Sequence, residues 1–163
     1  MICDEVQVGS LVSKSADETR RIAGKVAKIL PAPVVVLLVG ELGSGKTTFV
    51  QGFGGALEVK EQITSPAFLL MKEYQGTRTL RHIDLYRLEK ASEVAQVGIH
   101  EDIPENGFVV VEWGERFDLG LNLPKLIVEF QVDETSEHRK LNFSVHGFSE
   151  LETVRLKDAL RNY

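Results

Sequence analysis

The chain has 163 residues and a mass of 18.2 kDa, with 43% hydrophobic and 26% charged residues, a balance that suits one globular domain over residues 1–163 built on one core. Outside Leu30–Gly40, which two prolines interrupt, no apolar run approaches the ~18 residues of a bilayer span. The net charge of −5 is uneven, +2 over residues 1–81 and −7 over residues 82–163, so the chain lacks the clustered Lys and Arg that grip nucleic acid unaided, and any contact with RNA is expected to depend on a partner.

The amino terminus, MICDEVQV, is acidic at Asp4 and Glu5 and has no basic segment leading into an apolar one. No secretory signal and no membrane attachment are expected, and the cytoplasm is the expected compartment. Cys3 has no disulfide partner, and His82, His100, His138 and His146 stand apart without cysteines, so no structural zinc site is expected. Ser15 to Leu30 reads as a helix: Ser15 and Glu18 fit a capping box, Ile22, Val26, Ile29 and Leu30 share a face, and Pro31 ends it. Val34–Val39 has no polar alternation and reads as a strand buried on both faces, as in a parallel sheet.

After a glycine cluster, Thr47 to Leu57 reads as a helix weakened by Gly52, Gly54 and Gly55. Residues 67–74 and 79–85 read as a hairpin and 89–97 as a short helix. Phe108–Val111 is a second continuous apolar strand, ending in Glu112. Residues 126–132 and 140–145 form another expected hairpin across an acidic turn, and a capping box at Ser149 and Glu152 opens a last helix over 150–160. The acidic surface of this half reads as a solvated face, with Glu101, Asp102 and Glu105 as a candidate face for a complementary subunit. The pattern is that of one mixed α/β domain.

Gly40-Glu41-Leu42-Gly43-Ser44-Gly45-Lys46-Thr47 satisfies G-x-x-x-x-G-K-[ST] and lies between a buried strand and a helix. Glycines let the backbone aim successive N–H groups at phosphate oxygens, and the new helix adds the positive end of its dipole. Lys46 supplies a cation for the β and γ phosphates, and Thr47 a hydroxyl for Mg²⁺, which prefers oxygen ligands. Such a loop needs an acid at a neighbouring strand end. Glu112, closing the more continuous apolar run, is the first choice; Asp84 is left to orient a water, act behind the metal or share it. His82 falls on the same strand face as Asp84 and has no assigned role, and Trp113 is open between base stacking, a partner surface and the core. No [NT]-K-x-D or D-x-x-G occurs, which favours ATP over GTP, and no LSGGQ-like signature of an ABC ATPase is present.

GELGSGKTTFVQGF at 40–53, TSPAF at 64–68, HIDLYRL at 82–88 and VEW at 111–113 together resemble the bacterial TsaE (YjeE) family, the ATPase subunits of tRNA threonylcarbamoyladenosine biosynthesis. The resemblance covers residues 40–113. It implies a P-loop NTPase-like, three-layer α/β fold with a mixed central sheet, which binds and hydrolyses ATP with Mg²⁺ alongside a threonylcarbamoyl-transferase subunit (TsaD-like) and its inactive paralogue (TsaB-like). The implied product is a threonylcarbamoyl group on the adenosine next to the anticodon. By position, Gly43, Ser44, Gly45, Lys46, Thr47 and Thr48 hold phosphates, Thr47 and Glu112 hold magnesium, and Asp84 assists hydrolysis with Lys46 and Glu112. Ser13 or Ser15 answers to a family hydroxyl near the nucleotide, Ser15 also reading as a helix cap, and Arg139 to a family arginine. Ala67 stands where the family usually has threonine and Gly114 where it often has proline, which leaves γ-phosphate sensing by the first of these loops to Thr64, Ser65 or backbone groups.

Two other activities share the same loop. A nucleotide-gated assembly module would use ATP to set partner affinity, with incidental hydrolysis. A small-molecule or nucleotide kinase would need cations around both phosphate groups, and no arginine-rich lid is evident in the sequence.

Overall fold

The computed structural model describes residues 5–66 and 68–163, so Cys3 and Ala67 lie outside the described residues. A seven-stranded mixed sheet runs through the chain in the order β1-β7-β6-β2-β5-β4-β3. The strands are β1 (Val6–Ser13), β2 (Val34–Val39), β3 (Met71–Tyr74), β4 (Thr79–Asp84), β5 (Gly107–Glu112), β6 (Lys125–Val132) and β7 (Arg139–His146). The helices are α1 (Ala16–Ile29), α2 (Lys46–Ala56), α3 (Ala91–Val94) and α4 (Glu150–Arg161). β2 pairs in parallel with β5 and β6, and β4 with β5, while β3, β7 and β1 join by antiparallel pairing.

The continuous apolar runs are explained by two cores. On β2, Val34, Val36 and Leu38 face the core covered by α1, α2 and α4, whereas Val35 faces the core on the other side of the sheet. β5 divides likewise, Phe108 and Val110 to the first core and Val109 and Val111 to the second. The second layer is thinner, built from α3, the 3-10 turn Ala95–Val97 and apolar residues such as Leu85, Leu88 and Leu119. A strand buried on both faces needs no polar alternation, and the result is the expected three-layer α/β arrangement.

Helix α2 is fixed by aromatic packing: Phe49 meets Phe130 edge-on at 5.9 Å and Phe53 meets Phe108 edge-on at 5.0 Å, each pair contributing about 0.5–1.5 kcal/mol beyond its buried area. Its Gly52 is required by a close crossing with α1, since a Cβ there would lie 2.2 Å from the Arg20 carbonyl oxygen. Glycines that weaken the isolated helix therefore let two helices touch backbone to backbone.

Several local expectations change. β1 was not anticipated; it is an edge strand with only Val8 and Ser13 buried and a register irregularity at Gln7/Gly9, so it shows no clean alternation. The first hairpin strand begins at Met71, because Leu70 takes a positive φ of 60° and Phe68 and Leu69 sit exposed in a turn. At the start of α1 the Ser15 hydroxyl accepts from the Glu18 N–H, but the Glu18 carboxylate accepts from Lys14 N, one residue before the position of a reciprocal capping box. At α4 the full box forms.

Candidate functional site

β2, β4 and β5 are parallel, so their carboxyl ends lie along one edge of the sheet, the edge where ligands of open α/β sheets bind. Register places Leu38 beside Glu112 and Glu112 beside Asp84. The phosphate-loop pattern after β2 and the two strand-end acids therefore meet in space. They line a cavity of about 360 Å³ with Tyr86, Arg87 and Trp113, at the small end of the range for small-molecule sites.

The loop turns on Gly43 (φ 77°) and Gly45 (φ 108°), conformations open to glycine and strained for other residues. Gly45 is the N-cap of α2 and no side chain caps the helix. The amides of the first turn, which have no intrahelical partner, are the groups a phosphate would take. Lys46 is 4% exposed. Its ammonium donates to the Gly40 and Glu41 carbonyls at 2.7 and 2.8 Å, approaches the Ser44 hydroxyl at 3.4 Å and lies 4.0 Å from the Trp113 ring centroid. Burial pushes it below an ordinary lysine's pKa, opposed by the negative charges of Glu112, Glu115 and Asp84.

Thr47 donates its hydroxyl to Glu112 Oε1 at 2.8 Å, and His82 Nε2 meets the same oxygen at 2.8 Å. Asp84 accepts from the Ser65 hydroxyl at 2.6 Å and from the Tyr86 N–H at 3.0 Å. Both carboxylates are buried, Glu112 at 3% and Asp84 at 8% exposure. Trp113 has a positive φ of 64° and stacks at 5.1 Å, tilted, on Tyr86. The following Gly114 is a tight fit, since a Cβ there would stand 2.8 Å from the Leu37 side chain. Arg116 donates to the Leu85 and Tyr86 carbonyls at 3.2 and 2.6 Å, tying the segment after Glu112 to the segment after Asp84.

Of the residues singled out by sequence, Gly43, Gly45, Lys46, Thr47, Thr48, Asp84 and Glu112 line the cavity. Ser44 lies behind Lys46. Ser13 is fully buried, its hydroxyl donating to the Ser15 carbonyl and paired with Thr19 at 2.7 Å, and it lies outside the lining residues. Arg139 reaches the loop from β7, with the Gly43 carbonyl at 3.4 Å and the Glu137 carbonyl as its other partner. Ser65, one of the groups left for γ-phosphate sensing, lines the cavity, whereas Tyr86 and Arg87 were given no role; their position two and three residues after the strand-end acid Asp84 was the available signal. The donors beside the loop, one hydroxyl and two carboxylates, are the hard oxygen set that suits Mg²⁺ shared with a nucleotide's phosphates rather than caged by protein alone.

The family described as "Threonylcarbamoyl adenosine biosynthesis protein TsaE" matches residues 13–141. Relatives bearing the name tRNA threonylcarbamoyladenosine biosynthesis protein TsaE include one from Treponema pallidum, 43% identical over 121 residues, covering 74% of this chain and 88% of that protein. Another, from Nostoc sp., is 41% identical and covers 68% and 70%; a third, from Bacillus subtilis, is 34% identical over 132 residues and covers 80% and 82%. In fold the chain is similar to the crystal structure of Bacillus subtilis YdiB, with a TM-score of 0.68, 24% identity and coverage of 99% and 98%.

Proposed function

Because the chain belongs to the TsaE family of threonylcarbamoyl adenosine biosynthesis proteins, we propose that it binds and hydrolyses ATP with Mg²⁺ in support of that tRNA modification. The observation that carries the reading is the meeting of Lys46, Thr47 and Glu112 at the mouth of a glycine-rich loop. Among the described residues the Lys46 ammonium is engaged by carbonyls, a hydroxyl and a ring face, neutral groups that charged phosphate oxygens would displace. The loop backbone over 43–48, Ser44 included, cradles the phosphates. Thr47 and Glu112 would hold Mg²⁺, which when bound adds positive charge where the β and γ phosphates gather negative charge.

Asp84, beside Glu112 in register and held on both oxygens by Ser65 and Tyr86, is placed to orient a water for in-line attack on the γ-phosphate. Preorganised charge and positioning carry most of such a reaction. Arg139 is proposed to act from the outer side of the loop. For Ser13 the proposal is limited to setting the start of α1 beside that arginine, with which it pairs in register.

The proposed partners are the TsaD-like threonylcarbamoyl-transferase subunit and its TsaB-like paralogue, with tRNA met only through them; the acidic pI of about 5.4 supports this division of labour. Among the described residues no helix is long and apolar enough to cross a membrane, and the cytoplasm, where tRNA is modified, is the proposed compartment. Lys46→Ala and Glu112→Ala are each expected to lower ATP turnover in the reconstituted complex by about 100-fold or more. Full turnover in either variant sinks the hydrolytic reading, and stimulation of tRNA modification without any ATP turnover favours a nucleotide-gated assembly module.

A further inference from the structure

His82 occupies the middle of β4, between Leu80, which packs into the larger core, and Asp84, which lines the cavity. The ring is completely buried, and Nε2 lies 2.8 Å from Glu112 Oε1. Nδ1 is buried with no hydrogen-bond partner among the described residues. A carboxylate oxygen only accepts, and a proton on Nδ1 would be a buried donor with nothing to meet. The network therefore assigns the proton to Nε2, which donates to Glu112.

Two donors converge on that one oxygen, Thr47 from the phosphate loop and His82 from the sheet. They are not equivalent. The Thr47 hydroxyl has a second claim on it, since it is also proposed to hold the metal, whereas His82 has no other side-chain partner among the described residues and stands on a central strand paired on both sides. Its bond to Glu112 is shielded from water, which strengthens it and keeps it from being exchanged.

We infer that His82 is a positioning residue, whose Nε2–H holds the Glu112 carboxylate in the orientation from which it shares Mg²⁺ with the bound nucleotide. The inference rests on the Mg²⁺-nucleotide reading above and concerns a residue to which the sequence assigned no role. Partners that orient a metal-binding group typically cost 10- to 100-fold in metal affinity or activity when lost. A residue that merely filled the core would instead affect nucleotide binding with and without metal alike.

The test is calorimetric titration of the full chain with ADP, with and without MgCl₂, for wild type, His82→Leu, His82→Gln and His82→Asn, each first checked for thermal unfolding. His82→Leu is expected to keep metal-free ADP affinity within about twofold of wild type while the Mg²⁺ concentration giving half of the metal-dependent tightening rises about 10-fold. His82→Gln, whose longer amide can reach Glu112, is expected to recover most of that loss; His82→Asn, whose amide stops short, is not. Should His82→Leu prove unfolded, the Gln and Asn pair carries the test, and equal behaviour of the two overturns the inference. Unchanged Mg²⁺ dependence in His82→Leu, or equal losses with and without metal, also overturns it. A wild-type chain whose ADP affinity ignores Mg²⁺ overturns the functional reading and this inference with it, whereas a normal wild-type response beside an unaffected His82→Leu removes the inference alone.

Discussion

At Lys46 a positive charge is held against loop carbonyls and an indole face with little water around it, and this makes it responsive to pH. Burial lowers its pKa below the 10.5 of an ordinary lysine, so the folded chain binds fewer protons here than the unfolded one between the two values. Stability from this group therefore rises with pH across that window, and its burial cost is fully present below it. Phosphate binding runs the other way, because it needs the charged form. Metal-free ADP affinity is expected to fall with rising pH at a midpoint below 10.5, as a titration of affinity against pH would show; a flat profile through that range argues that Lys46 does not contact phosphate. Asp84→Asn is expected to lower ATP turnover at least 10-fold with ADP affinity within about threefold of wild type, since an amide keeps the shape but loses the acceptor charge that orients water. Measuring both quantities on one preparation separates this from a general binding defect. That Lys46 and Thr47 stand together at one loop was legible as sequence because they are contiguous in the chain. The bonds of Ser65 to Asp84 and His82 to Glu112 were not, since each joins residues 19 and 30 positions apart.

Among the elements, α2 carries the glycine-rich loop on its amino end and is held by α1 across Gly52. Gly52→Ala would drive a Cβ to 2.2 Å from the Arg20 carbonyl oxygen, an overlap of backbone that only separation of the helices relieves. The expected cost is about 1–3 kcal/mol or more, a fall in Tm of roughly 2–4 °C per kcal/mol for a chain of this length. Gly55→Ala, on the same helix with nothing within 4 Å of the added methyl, is expected to stabilise by about 0.5–1 kcal/mol. Thermal unfolding of the two variants side by side decides whether close approach or helix propensity governs these glycines; equal destabilisation of both would refute the distinction. The sequence placed α2 and both long helices correctly because apolar periodicity and caps are local signals. β1 escaped because an edge strand with two buried residues carries almost no such signal, and the first hairpin was started early because two exposed apolar residues, Phe68 and Leu69, imitate a strand.

On the scale of the whole molecule, two groups of acids within the negative half are distinguished by where they stand. Asp84 and Glu112 stand at the carboxyl ends of β4 and β5, whereas Glu101, Asp102 and Glu105 precede β5 in the chain, the carbonyls of Glu101 and Asp102 accepting from the Arg81 guanidinium. The six residues of β5 separate Glu105 from Glu112 by about 20 Å at ordinary strand rise, more than twice the ~8 Å screening length at physiological salt, and Glu101 and Glu105 are both exposed to solvent. Glu101→Lys with Glu105→Lys is therefore expected to leave ADP affinity of the isolated chain within about twofold of wild type. If that face docks a complementary subunit, the same variant weakens complex formation, readable by co-purification or titration with the transferase subunits; undiminished assembly removes these residues from the interface.

The amino-acid sequence by itself determined the glycine-rich loop, the doubly buried strand before it, the helix after it and the acids that end two further strands. Each is written in a few consecutive residues whose conformation follows from local sterics, capping and apolar pattern. Only the tertiary structure decided which of those groups meet. The order β7-β6-β2-β5-β4 puts Glu112 rather than Asp84 on Thr47, sets His82 behind that carboxylate and brings Arg139 across to the loop. Strand order is chosen by burial summed over both faces of the sheet, and no short stretch of residues contains that sum.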